Sequence, residues 1–515
     1  MPAPAVADWA AAPAAAAPQP DAAPLRVLGV ASEMFPLLKT GGLADVVGAL
    51  PAALAPCGVE LHTLLPGHPA VLAALRQSEV VADWPDWFGG PARLLAARHG
   101  RTPLLVLDAP HLHARAGNPY LDATGRDWPD NALRYAALAL AAARVAWGEV
   151  PAFVPGLVHV HDWQAALVPA YLHYLGSGRR RVPSVLTIHN LAFQGHFEAE
   201  TWPHLRLPDS AFAIEGLEYH GGIGFLKAGL QFADAITTVS PTYAREILEP
   251  AGGMGLDAML RWRAEAVSGI VNGLDTTAWN PADDVHLAQT YDADTLERRG
   301  ANRYAVEQAF GLPQDDGLLL CMVSRLTAQK GIDLVVEALD DSVARGARLV
   351  VLGTGDAAIE AALRAASARH PTRVALRIGY DEGLSHLLHG GADAILVPSR
   401  FEPCGLTQLS GLRYGCVPVV SRVGGLADTV IDANHAALAA GVATGIVFDD
   451  LSPQGVLQAV QRALALHADA QRWRALQRAG LRSEVGWAAS AAEYAALYRR
   501  LVAARPPNEL PETPR

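Results

Sequence analysis

Cysteine is scarce in this chain, with four in 515 residues: Cys57, Cys321, Cys404 and Cys416. None forms a C-x-x-C pair and no His/Cys cluster has zinc spacing, so no metal site is expected from them and a reducing cytoplasm is the expected compartment. Positive charge is also short. The net charge of −11 argues against non-specific nucleic-acid binding, which needs Lys and Arg to neutralise phosphates. No apolar run approaches the roughly 18 residues of a membrane span, so no membrane partner is expected. The first 24 residues hold no Lys or Arg and lack the basic start and unbroken apolar stretch of a signal peptide. Being mostly Ala and Pro, residues 1–24 read as a disordered tail.

What the chain does have is a globular composition, 51% hydrophobic and 18% charged, and a length that calls for two domains. Short apolar runs alternate with helical stretches from Leu25 on. Strands are expected at Leu25–Ala31, Leu104–Leu107, Leu157–His161, Ser184–His189 and Ala235–Val239, with helices at Leu43–Ala55 and Asn131–Trp147. The pattern then restarts with strands at Leu318–Val323, Arg348–Leu352, Val374–Ile378, Ala394–Val397 and Val417–Ser421. Such alternation gives parallel sheets covered on both faces. The expected fold is α/β, two doubly wound Rossmann-like domains facing a cleft. The domains are placed at 25–265 and 266–480, with a last helix at 481–505. One string recurs: Gly41-Gly42-Leu43-Ala44-Asp45 returns as Gly424-Gly425-Leu426-Ala427-Asp428, each time after a strand and opening a helix.

Ligands of open parallel sheets bind beyond the carboxyl ends of the strands, so chemistry is sought in those loops. Lys39-Thr40-Gly41-Gly42 offers backbone amides, a helix dipole and a cation to an anion, or is a plain glycine turn with a solvated lysine. Arg325 and Lys330, five apart in the loop after the first strand of the second domain, suit a diphosphate, or are two surface cations. Glu402, in Ser399-Arg400-Phe401-Glu402-Pro403-Cys404-Gly405-Leu406-Thr407, offers a carboxylate to sugar hydroxyls, or caps a helix that begins at Gly405. His161-Asp162-Trp163 and Thr187-Ile188-His189-Asn190 end two strands. Their histidines are candidate polar groups or satisfied core residues, and Trp163 is a sugar platform or packing.

Taken together these strings resemble the bacterial glycogen synthases and plant starch synthases. Ala31-Ser32-Glu33-Met34-Phe35-Pro36 leads into Lys39–Asp45. His161-Asp162-Trp163, Thr187–Asn190, Phe225-Leu226-Lys227-Ala228-Gly229, Val239–Ala244, Asn272-Gly273, Ser324–Thr327 and Pro398–Thr407 follow in family order. The resemblance covers about Leu25 to Tyr498. It implies the GT-B glycosyltransferase fold, with the final helix crossing back to the first domain. It also implies glucose transfer from ADP-glucose, with retention, to the non-reducing end of glycogen or a maltooligosaccharide, without cofactor or metal.

By the same resemblance Lys39 and Gly42 border the donor, Arg325 and Lys330 hold its diphosphate, and Glu402 positions its glucose with Cys404 and Gly405. Asp162, His189 and Asn272 surround the transferred sugar, Tyr380 and Thr407 contact the nucleotide, and Asn190 and Leu406 are further substrate-binding residues. The implied reaction is an internal return: the acceptor hydroxyl attacks from the face that the diphosphate leaves. Asp292-Ala293-Asp294 matches the short D-x-D metal pattern, a string that arises easily by chance. A dinucleotide-dependent oxidoreductase is disfavoured because the first βα loop lacks G-x-G-x-x-G. A silent glucan-binding protein is disfavoured by the intact Lys39, Arg325, Lys330 and Glu402.

Overall fold

A strand buried on both faces reads as a continuous apolar run, whereas one exposed on a face alternates. In the computed structural model, which describes residues 23–122 and 124–504, the runs and the alternating segments take different places. The expected tail lies outside the described residues apart from Ala23 and Pro24, as does the Pro- and Glu-rich end from 505. The chain forms two compact units. Of the described residues, the first holds those up to Val239, Ala244–Ile270 and those from Trp487 to 504. The second holds Ser240–Tyr243 and Val271–Gly486.

The strands of the first unit are β1 (Leu25–Val30), β2 (Val59–Pro66), β3 (Ser78–Trp84), β4 (Ala92–His99), β5 (Thr102–Asp108), β6 (Leu157–His161), β7 (Ser184–Ile188), β8 (His196–Phe197), β9 (Glu218–Tyr219), β10 (Gly222–Gly224), β11 (Ala235–Thr238) and β12 (Val267–Gly269). Nine of them form one sheet in the order β12-β11-β7-β6-β1-β2-β5-β4-β3, and β8, β10 and β9 form a small separate sheet. The large sheet is parallel from β12 to β5. Only the β5–β4 and β4–β3 pairings are antiparallel, at one edge. Winding starts at β1, proceeds outward through β2 and β5, then restarts beside β1 with β6. The reversal between β1 and β6 is the topological switch point, where ligands of such sheets bind.

Helix Asn131–Ala146 is buried along almost its whole length. Its alanines let it lie close to the sheet. The last helix, Ala488–Ala503, contributes Trp487, Ala491, Tyr494, Leu497 and Tyr498 to a core cluster shared with Val27, Val46, Leu61, Leu157 and Val185. The first unit runs on to Ile270, past 265, because Val267–Gly269 pairs with β11 as the edge strand β12.

The second unit has six parallel strands: β13 (Leu319–Val323), β14 (Arg348–Gly353), β15 (Val374–Ile378), β16 (Ala394–Val397), β17 (Val417–Ser421) and β18 (Ile446–Phe448). Their order is β15-β14-β13-β16-β17-β18, so winding again reverses beside its first strand, between β13 and β16. Along β13, Leu320 and Met322 enter one core cluster while Leu319 and Cys321 enter another. The strand is thus covered on both faces, and that explains its unbroken apolar run.

Candidate active site

Each unit places its chemistry-bearing residues at its own switch point. In the first, the loop after β1 carries Glu33, Lys39 and the glycine pair, and β6 ends in His161-Asp162. Helix Gly42–Leu54 starts behind Gly41 without a side-chain cap. Lys39 pairs with Asp45 one turn into that helix, at 2.8 Å. The glutamate of the opening string, Glu33, is buried and accepts hydrogen bonds from the Thr40 amide and from the Thr40 hydroxyl at 3.0 Å. It ties the two ends of the Lys39 loop together. Burial raises its carboxyl above the ordinary range, against the lowering effect of Thr40.

Asp162 is a non-glycine residue in the left-handed region, at φ +54°. Asp and Asn tolerate that region better than most residues, and strain of this kind concentrates at functional sites. The conformation lets its carboxylate accept the His189 amide at 2.7 Å and the Asn190 amide as well. Asp162 thereby fixes the loop after β7. Burial pushes its carboxyl up to about 7, opposed by those two amides. The Asn190 side chain accepts from the Ala192 amide at 3.0 Å. His189 shares a 3.0 Å hydrogen bond between its Nε2 and Nδ1 of His161. Burial holds His189 down to about 3 and His161 well below the imidazole range, so both rings are neutral. Trp163 is packing and no open platform: its ring lies against Tyr135, Phe197 and Phe225.

In the second unit the loop after β13 makes a short 3-10 turn, Ala328–Lys330, closed by Gly331 at φ +68°. A Cβ on Gly331 would stand 2.0 Å from the Pro398 carbonyl oxygen. Only glycine lets this loop lie against the loop after β16. That contact brings the Lys330 ammonium to 2.5 Å from the Glu402 carboxylate. The Ser399 hydroxyl donates to the same carboxylate at 2.9 Å, and Glu402 is buried. Its carboxylate is thus held by Lys330 and Ser399, and it does not cap the following helix. Arg325 is exposed on the same loop and reaches Gln329 at 3.4 Å. Arg400, the other cation nearby, is bound through both Nη atoms to Asp333, at 2.7 and 2.6 Å.

The helix after Glu402 spans Thr407–Tyr414. It therefore begins at Thr407, not at Gly405. Gly405 has φ +73° and Leu406 is the residue before the helix. The buried Gln408 side chain donates to the carbonyls of Cys404 at 3.0 Å and Gly405 at 2.8 Å, which secures the turn. Cys404 is buried against Asn272, and its burial pushes the thiol up to about 12. The structure so gathers Lys330, Ser399, Glu402, Cys404, Gly405, Leu406, Thr407 and Asn272. Tyr380 stands apart, exposed in the loop after β15, two strands from β13, with its hydroxyl on Glu382.

The repeated Gly-Gly-Leu-Ala-Asp string divides in use. A Cβ on Gly425 would stand 2.2 Å from the Cys404 carbonyl oxygen, and one on Gly424 2.0 Å from that of Glu402, whereas one on Gly41 would meet nothing within 4 Å. The second copy presses on the Glu402 loop, and the first opens onto space. Asp292 accepts from the Asp294 and Thr295 amides and the Thr295 hydroxyl, so it caps a turn. Sequence reasoning did not single out Glu33 or Ser399 as site residues, and it left His161 open between a candidate polar group and a satisfied core residue. Their signal was position, since all three belong to loops or strand ends at a switch point.

Comparison with known proteins agrees with this layout. Residues 26–262 match the starch synthase catalytic domain and residues 306–479 match glycosyl transferases group 1. A glycogen synthase of Acidiphilium cryptum is 60% identical over 93% of this chain and 99% of its own length. That of Rhodopseudomonas palustris is 56% identical over 94% and 99%. Among solved structures, the catalytic domain of starch synthase IV from Arabidopsis thaliana, bound to ADP and acarbose, superimposes with TM-score 0.84 at 28% identity, covering 93% of this chain and all of that one. Sucrose-phosphate synthase from Thermosynechococcus elongatus shares the fold, with TM-score 0.56 and 18% identity over 93% of this chain and all of that one. With near-complete relatives above half identity and both catalytic domains matched, the chain belongs to the glycogen synthase family of GT-B glycosyltransferases.

Proposed function

We propose that this chain transfers glucose from ADP-glucose to the non-reducing end of an α-1,4-glucan, with retention at C1, in the cytoplasm. The observation that carries the reading is the Glu402 carboxylate fixed by Lys330 and Ser399 at the switch point of the second unit. Support also comes from the relatives named glycogen synthase, and from the ADP in the related starch synthase. The four cysteines are free thiols, in keeping with a reducing compartment.

Breaking the bond from C1 to the diphosphate builds negative charge on the leaving group and positive charge at C1. Arg325 and Lys330 take the diphosphate, and their preorganised charge stabilises it as it leaves. Glu402 accepts sugar hydroxyls, and Lys330 orients it. Lys39, the open backbone at Gly41 and the neighbouring Gly42 serve the anionic donor from the first unit. Neutral His189, held with Asn190 by Asp162, presents polar groups to the transferred glucose. Asn272, Cys404, Gly405, Leu406, Thr407 and Tyr380 complete the donor contacts. The departing phosphate oxygen takes the proton of the attacking acceptor hydroxyl, so no protein base is needed.

The test is transfer of labelled glucose to glycogen from ADP-glucose and from UDP-glucose, each with and without chelator. Chelator-insensitive transfer that prefers ADP-glucose is expected. No transfer from either donor by folded protein contradicts the reading.

A further inference from the structure

His161 adds a positioning role that builds on the one proposed for His189. Its Nδ1 lies 3.0 Å from Nε2 of His189, and both rings are neutral. One ring must supply the N–H and the other the lone pair, so fixing the tautomer of one fixes that of the other. His161 is buried and rests against the His159 ring, with centroids 4.2 Å apart. His159 is committed at both nitrogens. Nδ1 shares a 2.8 Å hydrogen bond with the Tyr498 hydroxyl, and Nε2 shares one of 2.6 Å with Oγ1 of Thr187. Thr187 in turn shares a 2.6 Å hydrogen bond with Oγ1 of Thr237.

These groups run through the middle of the first unit's sheet, on β6, β7 and β11, and end on its last helix. Polar side chains inside an otherwise apolar sheet are costly unless fully paired. Here hydrogen bonds tie Tyr498, His159, Thr187 and Thr237 together, and the contact of the His159 ring with His161 joins that set to the separately paired His161 and His189. We propose that His161 is a positioning residue that fixes the place and plane of the His189 ring, and that His159, clamped between Tyr498 and Thr187, is the wall that holds His161 in place. On this account the last helix of the chain helps set the geometry of the transfer site.

The test compares glucose transfer from ADP-glucose by the full-length protein and its variants. His161→Leu keeps the bulk but removes the nitrogen, whereas His161→Asn keeps a hydrogen-bonding atom near the place of Nδ1. His161→Leu should lower kcat by about 10- to 100-fold, the scale of a small misplacement of a reacting group, with donor KM changed by no more than about 2-fold. His161→Asn should recover part of that loss. In a His189→Ala background, His161→Leu should cost nothing further. Equal losses in the Leu and Asn variants, a loss confined to KM, or additive losses overturn the proposal.

Full activity in His189→Ala removes the role of His189 itself. Low activity in His189→Ala with normal activity in His161→Leu removes only the positioning role. If His161→Leu does not fold, Tyr498→Phe decides. It should lower kcat by about 3- to 10-fold at unchanged KM, a fraction of the direct effect, and an unchanged kcat overturns the proposal.

Discussion

Lys330 and Glu402, 72 positions apart, form an ion pair of 2.5 Å with both side chains largely shielded from water. Breaking one side of a shielded pair costs more than the pair itself contributes, because the survivor keeps its burial and loses its partner. Lys330→Ala leaves the Glu402 carboxylate with Ser399 alone. The variant should lose activity by about 100-fold or more, the scale of a removed transition-state charge partner. Thermal melts of Lys330→Ala should fall below those of the parent, because the shielded carboxylate keeps its burial without its cationic partner. Glu402→Gln, which removes the charge and keeps the shape, should stay folded but lose turnover.

Asp162 links strain, burial and activity. Its carboxyl sits at about 7, above its unfolded value, so its burial costs stability wherever it is ionised, and stability rises as pH falls through about 7. Asp162→Asn removes the charge, still accepts an amide, and suits the left-handed backbone. Stability at pH 8 should rise by roughly 1–2 kcal/mol, seen as a higher melting temperature, while kcat falls. If ionised Asp162 is needed to hold His189 and Asn190, parent activity declines as pH drops through about 7, and the Asn variant lacks that limb. A stable variant with full activity contradicts the role.

Two glycines separate packing from ligand approach. Gly331→Ala meets the Pro398 carbonyl oxygen at 2.0 Å with φ +68°, and should destabilise by roughly 1–3 kcal/mol and displace Lys330. Gly41 lies in extended backbone at φ −161°, where any residue fits. Serine there is also a better helix cap than glycine. Gly41→Ser should thus melt no lower than the parent, yet raise donor KM, because the added side chain fills the space through which the donor approaches the backbone. Unchanged KM in Gly41→Ser places the donor elsewhere.

Much of this was legible beforehand, and the exceptions have physical causes. Val374–Ile378, Ala394–Val397, Val417–Ser421 and Leu157–His161 were read to the residue, because apolar runs bounded by turns signal buried parallel strands. β2 escaped notice because Glu60 and His62, hydrogen-bonded at 2.7 Å, interrupt its apolar run. β3 and β4 escaped because they form an antiparallel edge hairpin: no residue of β3 is buried, and the exposed Arg93 and Arg98 interrupt the apolar run of β4. The switch-point loops were found, but their internal wiring was not. Nothing in the string Ser399–Thr407 shows that Ser399 and Lys330 share one carboxylate, since that depends on the Gly331 approach to Pro398. Nor does the spacing of Tyr498 and His159, 339 positions apart, show that they meet.

The most direct measurement is calorimetric titration of ADP and of AMP into the parent, Arg325→Ala, Lys330→Ala and Glu402→Ala proteins. If the second unit grips a diphosphate, the parent binds ADP more tightly than AMP. Arg325→Ala and Lys330→Ala should lose about 10-fold or more in ADP affinity, the cost of a charge-assisted contact, with little change for AMP. Glu402→Ala should keep most ADP affinity while losing glucose transfer. ADP affinity in Lys330→Ala and Arg325→Ala equal to that of the parent contradicts the account.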